Sequence, residues 1–118
     1  MSFSEQAYQE LATVVGERNI SWEEYVLAGN RAKTPEVPAA HPSPEAIVLP
    51  GSTEEVAEIV RICNRYGIKY VAVVTGCIPT AYATGEDTII IHLKRMNRIV
   101  EINEKDRYAL IEPGVRHV

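Results

Sequence analysis

The chain has 118 residues, 46% of them hydrophobic, with a formal net charge of −4. That length makes one domain with a real core, and an acidic chain with scattered Lys and Arg excludes a nucleic-acid partner. No stretch approaches the roughly 18 apolar residues that cross a bilayer, so no membrane insertion is expected.

The opening "MSFSEQAYQE" has neither a basic n-region nor an apolar core, so nothing marks it for export. The cysteines Cys63 and Cys77 and the histidines His41, His92 and His117 lack metal-ligand spacing. A cytoplasmic chain with free thiols and no metal centre is expected.

Ser4 to Val15 carries apolar residues at Ala7, Leu11, Val14 and Val15, a helical stripe with Ser4 as N-cap and Gly16 as its end. Ser21 and Glu24 have capping-box spacing and predict a second short helix through Tyr25 and Leu27 to Gly29, with Trp22 and Tyr25 packing it onto the sheet. "KTPEVPAAHPSP", from Lys33 to Pro44, is too rich in proline for regular structure. "AIVLP" then reads as a short strand stopped by Pro50.

Ser52 and Glu55 form another capping box, ahead of a helix that aligns Val56, Ile59, Val60, Cys63 and Tyr66 and stops at Gly67. "KYVAVV" has the unbroken apolar texture of a strand covered on both sides. Strand, helix and strand make a βαβ unit with parallel strands. "TIIIHL" is a further buried strand, and "RIVEINEKDRYALIEPG" reads as two strands around the turn Asn103 to Asp106. The fold class is α/β, a small mixed sheet with packed helices. The chain divides into an N-terminal helical segment at 1–32, a Pro-rich connector at 33–45 and an α/β unit at 46–118, together one compact domain.

The order "PEAIVLPGSTEEVAEIVRICNRYGIKYVAVVTG", then "TIIIHLKRMNRIVEINEKDRYALIEPGV", resembles the start of the FAD-linked oxidases. That family includes the glycolate oxidase catalytic subunit and flavin-dependent D-lactate dehydrogenases, within the vanillyl-alcohol oxidase/p-cresol methylhydroxylase (PCMH) superfamily. Pro50, Arg95-Met96-Asn97 and Glu112-Pro113-Gly114-Val115 carry the match, and "ELATVVGERNIS" resembles the segment that opens the same proteins. The resemblance implies the first half of a PCMH-type FAD-binding domain, with FAD as cofactor.

In the family, the strand corresponding to Tyr70–Val74 runs into an Arg-Gly-x-Gly-Thr turn whose backbone N–H groups hold the FAD pyrophosphate. By resemblance, the cofactor-binding residues are therefore Thr75, Gly76, Cys77, Ile78, Pro79 and Thr80. This loop departs from the pattern. Gly76 stands where the family has arginine, Pro79 has no N–H to donate, and Ile78 is β-branched where a phosphate needs space. Glu86 and Asp87 are expected to add negative charge beside it.

Family members continue into the rest of the FAD domain and a substrate domain. The resemblance thus implies the N-terminal portion of an oxidoreductase of 2-hydroxy acids, with no catalytic residue here and no activity alone. The expected partner is a second copy or a polypeptide supplying the missing half. Two other readings stay open: a flavin-free module for protein–protein contact, and a thiol enzyme built on Cys77. His92 ends an apolar strand without an acid–base partner in sequence and reads as structural.

Overall fold

The structure is a computed structural model that describes residues 3–29, 44–74 and 86–116. The connector from Lys33 and the loop Thr75–Thr80 lie outside the described residues. Helix α1 spans Glu5–Val15 as its caps predict: the Ser4 hydroxyl accepts the Ala7 N–H, and Gly16, at φ 89°, ends the helix. It buries Ala7, Leu11, Ala12 and Val15. A 3-10 turn (Glu17–Asn19) leads into β1, Ile20–Ser21.

Here the local sequence misleads. Ser21 belongs to a strand, paired with Ile47, and its hydroxyl takes the Glu23 N–H, so the expected capping box with Glu24 does not form. Helix α2 is Glu24–Gly29 and excludes Trp22. Trp22 instead stacks on Tyr8 of α1, with centroids 3.9 Å apart and Phe3 edge-on to both rings. Tyr25 is 78% exposed and packs nothing onto the sheet. Sheet pairing of Ile20–Ser21 outweighs a short helix's cap, which contributes only about 1 kcal/mol.

Strand β2 (Ala46–Val48), helix α3 (Thr53–Tyr66) and strand β3 (Lys69–Val73) form the βαβ unit, followed by β4 (Thr88–His92). The sheet order is β1-β2-β4-β3, with β2, β4 and β3 parallel and β1 antiparallel to β2. The two strands of the βαβ unit are thus parallel, but β4 lies between them. Alternation sorts the central strands onto two faces. Ala46, Val48, Ile89 and Ile91 meet α1 and α3 through Leu11, Ile59, Ile62 and Cys63. On the opposite face Ile47, Ile90 and Val73 pack with Leu27 of α2. Burying each such aliphatic side chain contributes roughly 1.5–3 kcal/mol, so β4, buried from Thr88 to Ile91, is the centre of the fold.

β3 corrects another expectation. It is the edge strand, with Lys69, Tyr70 and Ala72 exposed, and only Val73 fully buried. Its apolar texture matches that of a central strand, but no helix among the described residues covers its first half. The hairpin forms as predicted, β5 (Ile99–Asn103) against β6 (Tyr108–Ile111), with the Asn103 side chain accepting the Asp106 N–H in the turn.

Candidate functional site

Open α/β sheets bind ligands outside the carboxyl ends of their strands. The register sets Val48 and Ala72 level with Ile91, and Val73 level with His92. The exits of β2, β4 and β3 therefore share one edge. β3 ends at this edge with Val73, and Val74 is the last described residue before the loop.

The start of α3 lies at the same edge, and the protein uses it itself. The Ser52 hydroxyl accepts the Glu55 N–H at 3.2 Å, the expected half of the capping box. The Glu55 carboxylate passes Ser52 and accepts the Gly51 N–H at 2.6 Å. Arg95, in the 3-10 turn Leu93–Arg95 after β4, donates to the Leu49 carbonyl at 2.5 Å and lies 3.7 Å from Glu55. A carboxylate thus answers the positive end of the helix. A phosphate at that end would meet Glu55 and compete for its donors, so the edge is left to the exit of β3.

The exit of β4 is held from the other side by the turn after β6. The Gly114 N–H reaches the Met96 carbonyl at 2.7 Å, and a Cβ at Gly114 would stand 2.4 Å from the Leu93 carbonyl oxygen and 2.6 Å from that of Met96. Only glycine fits this approach. Arg98 bonds Glu112 through its backbone N–H, Nε and Nη2, which holds that carboxyl below its usual range.

His92 pairs with Val73, the last residue of β3, and is half-buried. Its Nδ1 accepts the Lys94 N–H at 3.3 Å, which places the proton of the neutral ring on Nε2. Burial, and secondarily the Lys94 charge, push its pKa below the usual histidine value. Of the three cations at this exit, Arg95 and Arg98 are paired, whereas Lys94 forms no ion pair among the described residues. The basic group Lys94, Arg95 and Arg98 is legible in sequence; the division of labour within it is not, because Glu55 and Glu112 are remote along the chain.

One expectation is overturned. Glu86 and Asp87 precede β4 and lie at the amino-end edge, where the Asp87 carbonyl takes the Lys69 N–H and its carboxylate the Phe3 N–H. Together with burial they raise the Glu45 pKa there, burial being the larger cause. They therefore add no charge beside the β3 exit. Cys63 is buried against the core, and burial pushes its thiol up to about 11, so it is inert. Cys77 lies outside the described residues. Among the described residues no cluster suits a metal ion, and no helix is long and apolar enough to cross a membrane.

A parallel-centred sheet with its strand exits on one edge makes an α/β unit of the class that binds ligands at that edge. The FAD binding domain family model matches residues 44–117, and the chain belongs to that family, whose cofactor is FAD. It is 32% identical over 114 residues to the 4-cresol dehydrogenase [hydroxylating] flavoprotein subunit of Pseudomonas putida, covering 93% of this chain and 22% of that protein. It is 31% identical over 78 residues to the glycolate oxidase subunit GlcD of Bacillus subtilis, covering 61% of this chain and 16% of the relative. The solved 4-ethylphenol oxidase from Gulosibacter chungangensis, in its isoeugenol complex, superposes with a TM-score of 0.81 at 36% identity, over 93% of this chain and 22% of that one. The chain thus spans about a fifth of the length of its chain-long relatives. PCMH-type and glycolate-oxidase-like kinship are both borne out.

Proposed function

We propose that this chain supplies the pyrophosphate-holding part of an FAD-dependent oxidoreductase, with Thr75, Gly76, Cys77, Ile78, Pro79 and Thr80 as the cofactor loop. The observation that carries this reading is the ligand edge itself. Glu55 and Arg95 close its β2 side, and the chain enters the proposed loop at the β3 side. FAD, when bound, supplies the redox chemistry; this chain's residues bind and orient its phosphates. Relatives named for a cresol and for glycolate share this segment, so substrate choice belongs to other parts of the enzyme. Oxidation of a 2-hydroxy acid is the activity we propose for the whole protein, by the glycolate oxidase kinship.

The test is an absorbance spectrum of the purified chain before and after incubation with FAD and desalting. Retained flavin bands are the expected result; a colourless protein refutes cofactor binding by this chain.

A polypeptide partner is part of the same proposal. The hairpin carries Ile99, Ile102 and Ile111 on one exposed face, and a two-stranded hairpin is marginal without cover. The cover is a second copy or chain equivalent to the remainder of the relatives, two of which are named as subunits. We retain the division at 1–32, 33–45 and 46–118 within one compact domain, supported by α1 sharing its core with the sheet. We propose a cytoplasmic location, which the free thiol of Cys63 supports.

A further inference from the structure

Three aromatic rings meet at the amino-end edge of the sheet, opposite the ligand edge. The Phe3 N–H donates to the Asp87 carboxylate there, and Trp22 follows β1, whose Ser21 is level with Ile47 of β2. Tyr8 stacks on the Trp22 indole, and Phe3 stands edge-on to both rings. The stack holds the indole in place, yet Trp22 remains 40% exposed. Rigid aromatic rings left partly in water are the usual anchors of contact surfaces.

The rim of this platform is acidic. Trp22, Glu23, Glu24 and Tyr25 are consecutive and all exposed. Glu23 and Glu17 lie close enough for their charges to act on the Tyr8 hydroxyl, whose pKa is raised by burial first and by these two carboxylates after it. Among the described residues, Glu17, Glu23 and Glu24 form no ion pair, and neither does Arg18 beside Glu17. The same edge carries Glu45, Glu86 and Asp87, against Lys69 at the start of β3. Fixed rings flanked by unpaired carboxylates suit a flat cation, which stacks on the ring and donates to the acids.

We infer that Trp22, with Glu17 and Glu23, is a docking surface for an arginine side chain presented by a partner polypeptide. The guanidinium lies against the indole and its planar fork donates to the carboxylates. The charge of the edge attracts a basic partner and repels an acidic one. This surface is independent of the flavin reading, which concerns the opposite edge of the sheet.

Trp22 is the single tryptophan of the chain, so its emission reads the surface directly. The experiment titrates the full chain with hexa-arginine, hexalysine or hexaglutamate peptide and follows Trp22 fluorescence. It compares wild type with Glu17→Gln, Glu23→Gln and, as the control for loss of a charge as such, Glu104→Gln at the hairpin turn. Circular dichroism checks each fold. The expected result is a saturable change with hexa-arginine, a weaker affinity for hexalysine and no response to hexaglutamate. Affinity for hexa-arginine should fall about two- to fivefold in Glu17→Gln and in Glu23→Gln, the size of an exposed ion pair, and stay unchanged in Glu104→Gln. No saturable change of Trp22 emission with hexa-arginine overturns the inference. An equal loss in Glu104→Gln, or equal affinity for hexalysine, also overturns it, since net charge alone then accounts for the binding.

Discussion

Gly114 shows how much one residue can decide. Its backbone lies against three carbonyls of the β4 exit turn, the nearest 2.4 Å from where a Cβ would be. These are backbone atoms and cannot swing aside, so Gly114→Ala must displace one chain segment from the other. The expected cost is about 1–3 kcal/mol, read as a lower midpoint in urea denaturation. Cys63 offers a contrary case. Its thiol is buried and held near 11, so the thiolate is scarce at neutral pH. Alkylation of Cys63 should therefore require unfolding, and rapid labelling of the native protein at that residue would contradict its place in the core.

At the scale of elements, the packing of α1 on α3 joins an apolar core to a polar rim. Glu10 on α1 accepts from Arg65 at 2.5 Å and from the Tyr66 hydroxyl, both on α3. The Tyr66 hydrogen bond first, and Arg65 after it, hold the Glu10 carboxyl below its ordinary value. A carboxyl lowered in the folded state contributes stability that is complete above its unfolded pKa and is lost as pH falls through its folded pKa. Glu10→Gln should accordingly lower the melting temperature at pH 7, and the gap from wild type should close on acidification. A gap independent of pH would mean that the carboxylate charge is immaterial there. The caps of α3 make a related prediction: Ser52→Ala removes the acceptor for the Glu55 N–H and should destabilise by about 1 kcal/mol in thermal melts.

At the scale of the molecule, the distribution of apolar surface is uneven. The central strands β2 and β4 are covered on both faces, whereas the hairpin leaves Ile102 67% exposed among neighbours of the same character. Contiguous exposed apolar faces mark contact sites. Ile102→Lys should change stability by no more than about 0.5 kcal/mol, as an exposed substitution does. If the hairpin face is where the chain associates with itself, the same change should reduce concentration-dependent sedimentation. Identical sedimentation of a self-associating wild type and the variant would remove the face from consideration.

What the sequence determined by itself is the local and periodic part of the structure. The Ser4 and Ser52 caps, the Gly16 and Gly67 stops, the buried run of β4 and the hairpin all follow from short-range spacing, and the ordered motifs carry the family. Tertiary structure decided the rest, because it depends on which segments meet. Ser21 has a capping pattern yet pairs with Ile47, and the apolar β3 lies at an edge because β4 occupies the place beside β2. Glu86 and Asp87 are near the proposed loop in sequence but lie at the end of the sheet opposite the β3 exit, since a strand carries its two ends apart. The loop itself was legible as a motif and lies outside the described residues. The pairing at the β4 exit was not legible, because Glu55 and Arg95 are far apart in the chain and meet only in the folded structure.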